Sequence, residues 1–245
     1  MCGAMQYNLV NNPILTPYQV EILKLFFATE FAKTFFLTGG TALSAFYLAH
    51  RDSKDLDLFS IEPFDSQRLE LLIADIAQKI GCEVTTKVKS TTYNEIYLDN
   101  KQGGWTQRID IVKEQPIQFG EIKVVEGVRV DSLENIGSNK ICTIFGRLEI
   151  KDYIDFYTII TKTDLTFDQL FALAKKKDLG LNEFTLASTI ADIEQIELWP
   201  KLRIDLDKPA MFTYYKNLIT ELLLKAKPEW INYAYFSPFS PSQRP

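Results

Sequence analysis

The chain has 245 residues, 46% hydrophobic and 24% charged, with a formal net charge of −5. That is ordinary globular composition, long enough for one large domain or two small ones and for a sizeable core. The acidic balance excludes a protein that binds nucleic acid through bulk positive charge, although it leaves room for a local basic groove.

The first residues carry no basic flank followed by an apolar stretch, so no signal peptide is expected. Thr16-Pro17 reads as a helix start, and Val20, Leu23, Phe26, Phe27 and Phe31 recur at helical spacing to Lys33. The most apolar region, 23–43, is interrupted by Glu30, Lys33 and Gly39-Gly40, which argues against a membrane span. Residues 35–38 form a short apolar run ending in Gly39-Gly40, expected to be a buried strand. A helix is expected over 41–50 with Leu43, Ala45, Phe46 and Tyr47 inward and His50 at its C-terminal cap. Residues 55–59 alternate acid and apolar, as a strand with one buried face does. A strong helical pattern over 66–80 stops at Gly81. Strands follow over 83–89, 92–98 and 106–112, the last two joined by a hairpin-like turn at 100–104, with a further short strand at 128–130. Beyond Asp131 the pattern turns helical: 132–145, 152–161, 167–176, 183–198 and 208–225, the last expected to start late because of Pro209. The Pro/Ser-rich segment 237–245 is expected to be a disordered tail. The expected class is α+β: a mixed sheet flanked by helices over 1–130, then an all-helical half over 131–236.

Cys2, Cys82 and Cys142 are odd in number and widely spaced. They suit neither a disulfide framework nor a metal site, and fit a reducing cytoplasm. His50 is the single histidine, so a Ser-His-Asp triad or a His-rich zinc site would rest on it alone.

The chemistry concentrates between residues 36 and 59. Asp55 and Asp57 are two apart on a strand and point the same way, while Leu56 and Leu58 point into the core. Two such carboxylates repel, and a divalent cation relieves that repulsion. Oxygen ligands suit Mg²⁺, with Mn²⁺ as the alternative. Asp110, flanked by Ile109 and Ile111 on an apolar strand, supplies a third carboxylate. Gly39-Gly40 lets backbone N–H groups approach phosphate at the start of the following helix, with Thr41 or Ser44 adding hydroxyls. Each feature alone has an ordinary structural explanation: a solvated strand face, or a turn needing positive φ. Their combination points to a metal–nucleotide site.

These residues resemble the signature of the DNA polymerase beta-like nucleotidyltransferase superfamily. The longer string Leu37-Thr-Gly-Gly-Thr-Ala-Leu43, then Arg51-x-Ser53-x-Asp55-Leu-Asp57-Leu-Phe59, is more similar to the AbiEii-type nucleotidyltransferases. Many of those are toxins of bacterial toxin–antitoxin or phage-defence systems. Lys140, Arg147 and the string Lys151-Asp152-Tyr-Ile-Asp155 resemble that family's Lys-bearing helix and its Arg-Asp-x-x-Asp-like segment, with Lys151 in place of the Arg. The resemblance implies that Gly39, Gly40 and Thr41 hold triphosphate and that Asp55 and Asp57 bind metal. It implies that Lys140 neutralises the outer phosphates and that Asp152 is a second acid, as base or orienting group. The implied activity is transfer of NMP from an NTP to a hydroxyl on RNA (tRNA in the toxin family), a protein or a small molecule, with an antitoxin as a partner. Two alternatives stand beside it: a small-molecule nucleotidyltransferase of the antibiotic-modifying kind, and a catalytically silent module that binds nucleotide or a partner.

Overall fold

The computed structural model describes residues 7–196 and 198–226; the tail expected over 237–245 lies outside them. Helix α1 spans Pro17–Phe27, and Thr16 caps it by accepting from the Gln19 backbone N–H. The helical pattern continues to Lys33 only as a separate 3-10 turn, Glu30–Lys33, because Thr29 restarts the chain with a cap of its own. Strand β1, Phe35–Thr38, is buried along its whole length. It feeds α2, Gly39–Leu43, which widens into a π turn over Ser44–Leu48. Both glycines therefore lie inside the first turn of α2 rather than before it. Strand β2 is Leu56–Ser60, and α3, Ser66–Lys79, is capped by Asp65.

Strands β3 (Glu83–Lys89), β4 (Tyr93–Asn100) and β5 (Trp105–Lys113) form a meander. Short strands β6 (Lys123–Val125) and β7 (Val128–Val130) close the sheet, which has seven strands in the order β3-β4-β5-β2-β1-β7-β6. The β2–β5 and β1–β7 pairs are parallel and the others antiparallel. The helices that follow are α4 (Leu133–Gly146), α5 (Ile150–Lys162), α6 (Phe167–Lys177), α7 (Glu183–Ile190) and α8 (Lys208–Lys225). The helix expected over 183–198 ends eight residues early. Pro209 does not delay α8, because it occupies the first turn, where its missing N–H leaves no bond unmade.

One core runs through sheet and helices, from Phe26, Phe35 and Leu58 to Ile136, Tyr153 and Tyr215. The two halves are also tied by polar contacts. Asp131, fully buried at the end of β7, accepts from Thr38 Oγ1 at 2.6 Å, Asn135 Nδ2 at 2.9 Å and Gln118 Nε2 at 2.7 Å. Its carbonyl accepts from Tyr47 Oη at 2.7 Å. These bonds fix the start of α4 against the end of β1. A strap over 199–203 returns to the sheet half, where Asp52 N–H donates to Lys201 O and Arg203 N–H donates to His50 O, both at 2.9 Å. Among the described residues, no helix is long and apolar enough to cross a membrane.

Candidate active site

Strand register builds an acidic row. Thr38 on β1 pairs with Asp57 on β2, Asp57 with Asp110 on β5, and Asp110 with Glu95 on β4. Alternation keeps Leu56, Leu58, Ile109 and Ile111 fully buried on the opposite face. The row opens into a cleft of about 1030 Å³, also lined by Gly39, Gly40, Arg51 and Ser53 and, from the helical half, by Asn139, Lys140, Arg147 and Lys151.

The loop before β2 is held from three sides, which sets Asp55. The Lys54 carbonyl accepts from the buried amides of Gln19 at 2.9 Å and Gln107 at 2.7 Å. The Asp55 carbonyl accepts from Thr41 Oγ1, which also lies 2.8 Å from Ser53 Oγ. Gly39 has φ +69°, and a Cβ there would sit 2.0 Å from Asp57 Oδ2. Glycine is thus required both for the backbone turn and for the carboxylate that packs against it. A Cβ on Gly40 would meet Arg51 Nη2 at 2.3 Å.

Among the described residues, no hydrogen bond or ion pair reaches the Asp55 or Asp57 carboxylate. Burial, reinforced by the Asp110 charge, pushes the Asp57 carboxyl up to about 6. Asp110 is instead engaged. It accepts from Arg108 Nε at 3.0 Å and Tyr93 Oη at 3.1 Å, and Arg108 Nη2 lies 3.0 Å from its second oxygen. Glu95 accepts from Tyr93 and Tyr97 and lies 3.6 Å from Arg108 Nη2.

Behind the acidic row sits a buried charge cluster. The π turn ends at Ala49 in the left-handed region, which turns His50 and Arg51 inward. Asp155 is fully buried and accepts from His50 Nε2 at 2.7 Å, Arg51 Nε at 2.6 Å and Arg51 Nη2 at 2.7 Å, with Lys140 Nζ at 2.6 Å. Asp152, also fully buried, accepts from Lys140 Nζ at 2.8 Å and Arg147 Nε at 2.9 Å. Although burial opposes it, the Arg51 and Lys140 charges hold the Asp155 carboxyl well below the usual carboxylate range. Lys140 and Arg147 likewise lower Asp152. Burial lowers the His50 imidazole against the opposing pull of Asp155, and its Nδ1 lies 3.3 Å from Ser44 Oγ.

The structure brings together Asp55, Asp57, Asp110, Gly39, Gly40 and Lys140 on the cleft wall. It places Thr41 and Ser44 elsewhere: both are fully buried, with hydroxyls turned to the Asp55 loop and to His50. Asp152 is likewise behind the wall, its oxygens occupied by Lys140 and Arg147. That arrangement suits an orienting group better than a base. His50 is no helix cap; it is buried two residues past the π turn. Lys151 pairs with Glu149 at 2.7 Å. The sequence pattern points to Asp155 only as part of the segment that begins at Lys151, and to Arg108, Glu95, Gln19 and Gln107 not at all. Gln19 on the apolar face of α1 was the signal available for the loop anchor.

A glycine turn packed against an acid in a mixed sheet, with cations from a helical half lining the same cleft, is an arrangement suited to nucleotidyl transfer. Solved structures of the same fold include a candidate nucleotidyltransferase from Helicobacter pylori (19% identity, 86% of this chain and 96% of that chain, TM-score 0.56). JHP933 from Helicobacter pylori is similar (19%, 89% and 95%, TM-score 0.54). The nucleotidyltransferase toxin MenT4 from Mycobacterium tuberculosis matches at 10% identity, 91% and 90% coverage and TM-score 0.47. No curated protein sequence gives a significant match. The model of the nucleotidyl transferase AbiEii toxin family, type IV toxin–antitoxin system, matches residues 21–230, and the chain belongs to that family.

Proposed function

We propose that this nucleotidyltransferase moves an NMP from an NTP to a hydroxyl at an RNA end, with divalent metal held by Asp55 and Asp57. The observation that carries the reading is that, among the described residues, neither carboxylate has a hydrogen-bond or ion-pair partner, with Asp57 packed against Gly39 and both in a cleft that Arg51 and Lys140 also line. Among the described residues, no group of three or more His, Cys, Asp or Glu side chains encloses a metal unaided. Two free carboxylates plus substrate phosphates are nevertheless the usual donor set for Mg²⁺. Burial and the neighbouring Asp110 charge raise the Asp57 carboxyl, and a bound cation would offset both. A bound cation would supply charge neutralisation at the transferred phosphate and would lower the pKa of the attacking hydroxyl.

The chain's own groups do the positioning. The first turn of α2 presents the backbone N–H groups of Gly39 and Gly40 to the triphosphate. Arg51 and Lys140 line the same wall. Lys140 has three N–H donors, and two go to Asp152 and Asp155, which leaves the third for phosphate. Thr41, Ser44 and Asp152 act through their neighbours, by fixing the Asp55 loop, His50 and the Lys140–Arg147 pair. Lys54, Arg147, Lys151 and Lys201 also line the cleft, the last three beside the Glu149 and Asp52 carboxylates, and this cationic lining supports an anionic acceptor such as tRNA over a cationic antibiotic. Family membership supports an antitoxin partner.

The test is incubation with each labelled NTP, Mg²⁺ and total tRNA, for the native chain and Asp57→Asn. RNA labelling by the native chain alone is expected. Equal labelling by both proteins overturns the metal assignment, and labelling of an aminoglycoside but no RNA overturns the acceptor.

A further inference from the structure

Asp110, the third carboxylate of the candidate metal site, is not open. Asp110 is gripped through both oxygens by the Arg108 fork at 3.0 Å and also accepts from Tyr93 Oη at 3.1 Å. Arg108 and Asp110 are two apart on β5, so their side chains share the cleft face. Both line the cleft, and the Arg108 side chain is about one-third exposed, so it can move. A guanidinium held this way occupies the lone pairs that a second acidic ligand would offer to a metal.

The structure also holds a second seat for the same guanidinium. Glu95 lies directly across from Asp110 on β4, and its Oε2 is 3.6 Å from Arg108 Nη2. The Tyr97 hydroxyl, 2.7 Å from Oε1, and the Tyr93 hydroxyl, 3.2 Å from Oε2, already orient that carboxylate. Tyr93 touches both acids, so it spans the two seats. A short swing would carry Arg108 from Asp110 to Glu95 without sending a charge into solvent.

We propose that Arg108 is a displaceable latch on Asp110, moving to Glu95 when a divalent cation engages Asp57 and Asp110. The inference rests on the reading of the acidic row as a metal site. In the metal-free protein, Asp110 is neutralised internally, and repulsion between it and Asp57 is reduced. On loading, Glu95 receives the released guanidinium. Arg108, Glu95 and Tyr93 are positioning residues: they set how readily the third carboxylate becomes available.

The test is Mn²⁺ affinity without nucleotide, read by electron paramagnetic resonance of free Mn²⁺, with each variant's melting temperature as a folding control. Arg108→Gln is expected to bind Mn²⁺ about tenfold more tightly, which is ~1.4 kcal/mol. Arg108→Lys keeps the charge but loses the fork, and is expected to gain a few-fold. Glu95→Gln is expected to bind several-fold more weakly, and its effect should vanish in the Arg108→Gln background. Additive effects in that double-mutant cycle, or an unchanged affinity in Arg108→Lys, would reduce Arg108 to an unspecific charge and overturn the latch. If the native chain binds no Mn²⁺, or binds it equally with Asp55→Asn and Asp57→Asn, the metal reading itself fails. If those two variants lose Mn²⁺ while the Arg108 variants match the native chain, only the latch fails.

Discussion

Asp57 carries opposite consequences for stability and for chemistry. Its carboxyl is raised from 3.8 to about 6, so the folded chain holds that proton more tightly than the unfolded chain does. Stability therefore falls as pH rises through this window, and the loss is complete above it. The shift corresponds to ~1–3 kcal/mol after allowance for partial exposure. In metal-free buffer at pH 7.5, Asp57→Asn should melt higher than the native chain, and the gap should close near pH 3.5. The same substitution should abolish nucleotidyl transfer; a lower melting point at pH 7.5 would contradict the assigned strain. Asp155 works in the other direction. Its carboxyl is held well below the usual range, so its contribution is present above the ordinary carboxylate pKa and is lost on acidification. Asp155→Ala would strand Arg51 and the His50 ring and leave Lys140 with Asp152 alone. A loss of about 3–5 kcal/mol in denaturant unfolding is expected, well beyond that of an exposed pair such as Lys79–Asp75.

At the scale of elements, the α2 start is the junction most sensitive to a single methyl. Gly39→Ala would put a Cβ at positive φ and against the Asp57 carboxylate. It should cost about 1–2 kcal/mol from backbone strain alone. It should also weaken Mn²⁺ binding, because Asp57 must shift; unchanged Mn²⁺ affinity would show that the carboxylate yields without consequence. This junction was legible in the sequence, because an apolar run, two glycines and an alternating acid strand follow one another within about 25 residues. Asp110 was legible for a similar reason, as an acid between isoleucines on a strand that could not be an edge. Short-range periodicity also placed β3, the meander turn and α4 to α6 close to where they lie. What stayed hidden depends on contacts between distant segments. Asp155 meets His50 and Arg51 across more than a hundred residues, and helical spacing gives no hint of that meeting. The π turn that aims those two residues inward leaves no compositional mark either. The overextended helix at 183–198 failed for a local reason: the pattern stays apolar, but the chain turns at Ala191-Asp192 into a 3-10 segment.

For the whole molecule, the change from mixed sheet to helices near residue 131 suggests two units, and the packing argues for one. The sheet half supplies the acids and glycines; the helical half supplies Lys140, Arg147 and the carboxylates that hold Arg51. A fragment ending at 130 would leave His50 and Arg51 without Asp155 and would expose the apolar residues that α4 and α5 cover. Calorimetry of the full chain should therefore show one cooperative transition, and a 1–130 fragment should show none. Nucleotide binds groups from both halves in the proposed arrangement, so it should move that transition as a unit. At NTP and Mg²⁺ concentrations a hundred times the dissociation constant, the expected gain is about 2.7 kcal/mol. For a chain of this size that is a rise of roughly 5–10 °C in melting temperature. The rise should be absent in Asp57→Asn. Two resolved transitions, of which ligand moved one, would mean that the halves unfold independently and that the cleft between them is not a shared site.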